Sequence, residues 1–232
     1  FYLGLFNQQP MGFYSPETLK EDARRHSIRI LNPDVNMSSQ LCVIENNDIR
    51  LGLRYVKNIG SKIAKQIVTG REEGGEYRGL IDFMRRAGLL RTEFDSLAYA
   101  GALDTFGCDR RRLLWDIGLH YIPPGRQPEL PLLEDLDQPI LDPLSSWEVM
   151  TEEYRFLGMH PTGHIMAYYR SFLEDTVTSV DIENLHDHSD VVVAGLVIRR
   201  QHPARNAIFL TLEDEYGHIP LIVWPSVYKR FR

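Results

Sequence analysis

The stretch that most constrains this chain is residues 53–68, "LRYVKNIGSKIAKQIV". Small or apolar residues recur at Leu53, Val56, Ile59, Ile63, Ala64, Ile67 and Val68, a spacing that gathers them on one side of two short helical segments. Asn58 and Gly60 form the bend between them, and segments joined by so short a bend must fold back on each other. Lys57, Lys62 and Lys65 crowd that bend, although the chain carries a net charge of -6.

The charge map resolves the conflict. Residues 1–122 carry +2, residues 123–190 carry -11, and residues 191–232 carry +3. Two mildly basic blocks thus flank an acidic one, and the basic blocks suit a polyanion. No apolar run approaches the roughly 18 residues that a membrane span needs. The opening "FYLGLFNQQP" has neither a basic leader nor a small-residue cleavage pattern, so no signal peptide is expected. A start on Phe suggests a piece of a longer chain. The only cysteines, Cys42 and Cys108, make no disulfide framework, which fits a reducing, cytoplasmic setting.

The periodicity predicts an α+β chain. Ser15 and Pro16 open a helix over 15–26. A short extended piece follows and stops at Asn32-Pro33, and a hairpin over 41–53 turns at Asn46-Asn47-Asp48. Helices are expected over 52–57, 61–72, 79–87, 92–100 and 109–119, with glycines in the breaks. Six prolines between 123 and 146 argue for an extended connector. Helical spacing returns over 146–158 and 162–174, the second capped by Thr162. From Asp190 onward three β-rich runs, "VVVAGLVIRRQ", "AIFLTLEDE" and "HIPLIVWP", predict a meander, and "SVYKRFR" a further helical start.

The opening stretch resembles the helix-hairpin-helix pattern. A tight turn at the start of a helix brings free backbone N–H groups and the positive dipole end to one surface point, where a phosphate oxygen is welcome. Gly60 lets a backbone approach closely. Asn58 stands where the pattern prefers glycine, and Asn tolerates the left-handed conformation next best. The candidate DNA contacts are therefore Lys57, Asn58, Ile59, Gly60, Ser61, Lys62 and Lys65. Such contacts position a duplex without reading its sequence. A second unit follows, helix "RTEFDSLAYA", turn "GALDTFG" and helix "DRRRLLWDI", with Arg110, Arg111 and Arg112 as further candidates. Asp104 in that turn repels an anion, so this unit reads as mostly structural.

"FYLGLFNQQPMGFYSP", "EDARRHSIRILNPDVN", "IRLGLRYVKNIG", "LAYAGALDTFG", "LGMHPTGHIMAYYR" and "FLTLEDEYGHIPLIVWP" resemble, in order, the C-terminal half of bacterial C-family DNA polymerases, the DNA polymerase III alpha group. "QPMGFYSP" is most similar to the error-prone branch. The resemblance implies an anatomy: 1–45 as the end of the fingers, 46–122 as tandem helix-hairpin-helix units, 123–189 as connector and clamp-facing helices, and 190–232 as part of an OB-fold. It implies template–primer duplex as partner, single-stranded DNA at the OB-fold, and a Y-family-like mutagenesis partner. It also implies that the palm carboxylates and their Mg²⁺ lie upstream, so these residues include no catalytic group and no cofactor site. The acidic runs "REEGGE", "LEDLD" and "LEDE" read as solvated surface.

Within the connector, "QPELPLL" resembles a sliding-clamp ligand. Gln127, Leu130, Leu132 and Leu133 fit a glutamine followed by spaced leucines, and the prolines pre-extend the segment. His160 and His164 have metal-ligand spacing, but Pro161 and Gly163 interrupt any helix there, so both are expected to be structural. His186 and His188 read as a polar turn. Arg199 and Arg200 are weak candidates for single-stranded DNA, while Phe209 and Trp224 are expected in the core. Two other classes remain. One is a standalone DNA-binding or scaffold module without enzymatic activity. The other is a repair nuclease or glycosylase, which needs a catalytic Lys or Asp beside the hairpin; the sequence offers no such pairing.

Overall fold

The computed structural model describes residues 1–12, 14–123, 139–202 and 207–231. The fold is α+β and divides into two compact units, residues 1–162 and residues 163–232. The four segments expected from the polymerase anatomy are thus distributed over two packing units.

In the first unit, α1 (Tyr2–Asn7) buries Tyr2 and Phe6, four residues apart, a helix that the sequence reading overlooked. Next comes α2 (Pro16–Arg25), with Pro16 in its first turn and the Ser15 hydroxyl accepting from the Thr18 N–H at 3.1 Å. The short strands β1 (Ile30–Leu31), β2 (Val43–Glu45) and β3 (Asp48–Arg50) form a sheet in the order β1-β3-β2, parallel then antiparallel. Asn46 and Asn47, at φ 51° and 72°, make the two-residue hairpin turn expected of them. The helix expected over 52–57 is only a 3₁₀ turn, Leu53–Tyr55, because the backbone is already extended again at Val56, with ψ 126°.

Then follow α3 (Ser61–Gly74), α4 (Leu80–Ala87), α5 (Arg91–Tyr99), α6 (Arg110–His120) and α7 (Ser146–Leu157). Their inward faces share one core with the N-terminal segment, running from Tyr2 to Met159. Phe83 sits at its centre, edge-on to Tyr77 and Phe94 with ring centroids 4.9 and 5.5 Å away. Side chains of this size each contribute about 1.5–3 kcal/mol on burial, so this core fixes how the hairpin turns are presented.

The second unit contains α8 (Ile165–Tyr169), β4 (Thr176–Val177), α9 (Ser179–Ile182), β5 (Val192–Val193), β6 (Leu196–Gln201), β7 (Ile208–Glu213), β8 (His218–Val223) and α10 (Pro225–Arg230). The helix expected over 162–174 is shorter than its pattern. His164, not Thr162, caps it, its Nδ1 accepting from the Met166 N–H at 3.2 Å, and the end tightens into a 3₁₀ turn. Gly163, a poor helix former, delays the start. The meander β6-β7-β8 is antiparallel as expected. The run at 191–201 breaks in two, however, with Val192–Val193 pairing in parallel with Thr176–Val177. Gly195 marks the break, where a Cβ would stand 2.8 Å from Cβ of Leu212.

The acidic run 212–215 is not solvated surface. Glu213 and Asp214 are buried. Asp214 accepts from the N–H groups of Tyr216 and Gly217 and from the N–H and hydroxyl of Ser179, all within 2.9 Å. Burial pushes its carboxyl up, but those hydrogen bonds outweigh burial and hold it below the usual aspartate value. It is a turn-forming residue. Glu72, Glu73 and Glu76 of the first run are exposed as expected, whereas residues 133–137 lie outside the described residues.

Candidate nucleic-acid interface

Asn58, at φ 69°, supplies the left-handed step that reverses the chain. Gly60 does not: its backbone is extended, at φ -75° and ψ 174°. It is the N-cap of α3, and no side chain caps the helix there. The first-turn N–H groups of Ser61, Lys62 and Ile63 therefore have no intrahelical acceptor, and that turn contains no acidic residue. A Cβ at Gly60 would meet no atom within 4 Å. Nothing packed around it requires glycine at this position, and the surface above it is open to an approaching group.

The charged side chains of the turn itself are all lysines. Lys57, Asn58, Gly60, Ser61, Lys62 and Lys65 are exposed, while Ile59 is buried and pins the turn to the core. None of the three lysines forms an ion pair with a described residue. The main chain is anchored from outside the hairpin, the Lys57 N–H donating to the Phe156 carbonyl at 2.9 Å. The turn is thus a fixed set of N–H donors beside three ammonium groups that pair with no described acid, and it can accept an anion such as a phosphodiester.

The second hairpin unit, α5 and α6, is built on the opposite plan. Asp109 caps α6, its carboxylate accepting from the Arg111 N–H at 2.8 Å, so an acid already occupies the anion position. Arg110 is not at the surface, which corrects its place among the candidates. Its guanidinium is buried and donates to Asp104 at 2.7 Å and to Glu153 at 2.8 Å. Arg111 pairs with Glu148 at 2.7 Å and Arg112 with Asp116 at 2.9 Å. The sequence signal for this plan was available: an aspartate immediately before a helix is an N-cap.

Behind both hairpins runs a buried polar network. Glu153 accepts from Arg110, from Asn32 at 2.8 Å and from His160 at 2.6 Å. Glu17 accepts from Tyr154 at 2.8 Å and from the His160 N–H at 3.2 Å, and shares Lys20 with Glu21. His160 is therefore a structural histidine, as expected. Among the described residues no group of three or more His, Cys, Asp or Glu side chains could hold a metal ion.

In the second unit the expected burial of Phe209 and Trp224 is overturned. They are 41% and 60% exposed. Phe209 stands opposite Ile222 and Gln201 in the ladder, on the sheet face away from buried Ile208, Leu212 and Ile219. Apolar residues fall on both sides of this strand and hide its alternation, so residue type alone assigns no face to Phe209. Arg199 lies two residues along on the same exposed face, opposite Thr211. Arg200 instead reaches α10, donating to the Tyr228 hydroxyl at 3.1 Å. Gln127, Leu130, Leu132 and Leu133 lie outside the described residues.

Comparison with known proteins agrees with this geometry. Residues 27–113 match the family model described as helix-hairpin-helix motif. The whole chain is 34% identical, over 235 residues, to 22% of the error-prone DNA polymerase of Corynebacterium diphtheriae. It is 35% identical to 22% of that of Mycobacterium tuberculosis, over 240 residues, and 34% identical to 23% of that of Dechloromonas aromatica, over 238 residues. The chain spans about a fifth of the length of the curated relatives it matches. Among the described residues no helix is long and apolar enough to cross a membrane.

Proposed function

From the similarity of the whole chain to about a fifth of error-prone DNA polymerases, we propose that this chain holds template–primer duplex for such an enzyme through backbone phosphates. The observation that carries this reading is the uncapped start of α3, with its open glycine and three lysines that pair with no described residue. Template-directed nucleotidyl transfer in damage-tolerant synthesis is the activity of the enzyme we place it in. That chemistry uses carboxylates holding Mg²⁺. No described cluster fits such an ion, so we place the transfer step in other parts of the polymerase and derive none here. Clamp docking through Gln127, Leu130, Leu132 and Leu133, and association with a Y-family-like partner, belong to the same proposal.

The test is a duplex-binding titration of the chain across a salt series. Affinity falls steeply as salt rises and is the same for unrelated sequences. Gly60→Ala binds roughly tenfold more weakly, because the new methyl group stands where a phosphate approaches. Its melting temperature changes little, because the poorer N-cap that Ala makes is offset by the lower entropy of the unfolded chain at a φ that Ala adopts freely. Wild-type affinity in Gly60→Ala, or binding indifferent to salt, counts against the reading.

A second reading concerns the second unit, which we take as part of an OB-fold. Exposed Phe209 beside Arg199 and Ile222 offers a stacking surface with an adjacent cation, a combination suited to single-stranded DNA. Phe209→Ala is expected to weaken binding of a single-stranded oligonucleotide by about 1–3 kcal/mol while leaving duplex affinity unchanged. An unchanged single-strand affinity sinks this second reading alone.

A further inference from the structure

Asn58 is the one position where the hairpin departs from glycine at its left-handed step. We infer that Asn58 is a positioning residue that locks the phosphate-facing turn to α5 through Ser96, and that the second hairpin unit serves as a strut for the first rather than as a second grip. This inference rests on the duplex-binding reading above.

The geometry supplies the reason. A non-glycine residue at φ 69° costs more than glycine, and here the side chain makes a bond that a hydrogen atom cannot. The Asn58 carboxamide Nδ2 donates to the Ser96 hydroxyl at 3.0 Å, and that hydroxyl donates onward to the Thr92 carbonyl at 2.6 Å. A serine hydroxyl has one proton to give. Because Thr92 takes it, only a lone pair remains for Asn58, and the carboxamide is oriented with its NH₂ group inward. Ser96 is 1% exposed and lies on α5 beside buried Phe94, Leu97 and Ala98. Its oxygen is therefore a fixed point of the core.

The turn is thus held from two sides, at Asn58 by α5 and at the Lys57 N–H by the Phe156 carbonyl of α7. Both holds come from the part of the fold that carries no anion site of its own. There Asp109 occupies the α6 start, and Arg110, Arg111 and Arg112 are all paired with acids. The strut reading accounts for a second hairpin whose three arginines are all paired with acids, Arg110 in the interior. Held in this way, the N–H groups that start α3 meet a phosphate without first being ordered, which lowers the entropy lost on binding.

The relay is tested with the full chain and a short mixed-sequence DNA duplex, by fluorescence anisotropy over a salt series. A stoichiometric titration normalises each protein for its binding-competent fraction. Asn58→Gly keeps the left-handed backbone and removes the relay from one end; Ser96→Ala removes it from the other. Each variant is expected to raise Kd by about threefold to tenfold at every salt concentration. The slope of log Kd against log salt should stay unchanged, because the lysines remain. The double variant should be no weaker than either single one. Wild-type affinity in either variant, additive losses, or a loss confined to the binding-competent fraction would each overturn the relay while leaving the duplex reading intact. A wild-type chain without salt-dependent duplex binding would overturn both.

Discussion

Reversing Lys57, Lys62 and Lys65 to glutamate is expected to abolish measurable duplex binding while leaving the fold intact. Each lysine that neutralises a phosphate releases counterions, and the salt dependence becomes shallower by about 0.9 log units per contact removed. Three contacts together account for roughly a few hundredfold in affinity at moderate salt. All three side chains are exposed and pair with no described acid, so no partner is stranded by the change. Glutamate at position 62, in the first turn of α3, is favourable to the helix by about 0.3–1 kcal/mol. Binding and stability therefore move in opposite directions, an outcome that general damage to the protein cannot imitate. Equal losses for unrelated duplex sequences are part of the expectation, since phosphates carry no sequence information. Unchanged affinity in the triple variant would remove the turn from the interface.

The second large effect is on stability and lies at Arg110. Arg110→Ala strands Glu153, which is 1% exposed, and removing one member of a buried ion pair costs about 3–5 kcal/mol. Urea unfolding measures the loss. The salt slope of duplex binding should not change, because Arg110 is turned away from the surface. Acid modulates the effect in a defined direction. Burial pushes the Glu153 carboxyl up, but the His160 hydrogen bond, the Arg110 charge and the Asn32 hydrogen bond outweigh it and hold the group below 4.5. In the wild type its stabilisation is complete above that value and is lost as pH falls through the lower folded value. In the variant the buried carboxylate lacks its main cation and takes up a proton more readily. The gap between variant and wild type should therefore narrow on acidification, and a gap that widens contradicts the assignment.

Much of the first unit was legible because local chemistry and tertiary packing agree there. Ser15-Pro16 starts a helix, Asn46-Asn47 turns a hairpin, and Leu53 to Val68 folds back on itself, all from patterns of a few residues. Phe209 and Trp224 were misplaced for other reasons. In β7 apolar residues fall on both faces, so only the register with its neighbours decides that Phe209 faces solvent, and Trp224 lies past the end of β8, at the N-cap of α10. Glu213 and Asp214 read as surface because an acidic run reveals nothing of the N–H groups that a folded turn will aim at it.

The sequence by itself determined the α+β class, the hairpin at 53–68 with its basic rim, and the similarity to polymerases that spans the chain. Those properties depend on residue type and on spacing along the chain, which a linear string records in full. Only the tertiary structure decided which cations are free. Lys57 and Arg110 look alike in sequence, but one stands in solvent and the other sits between Asp104, six residues away, and Glu153, 43 residues away along the chain. It also decided what Asn58 is for, because the serine it binds is 38 residues away along the chain. Pairing of charges and hydrogen bonds across such separations is set by the shared core, and no local pattern encodes it.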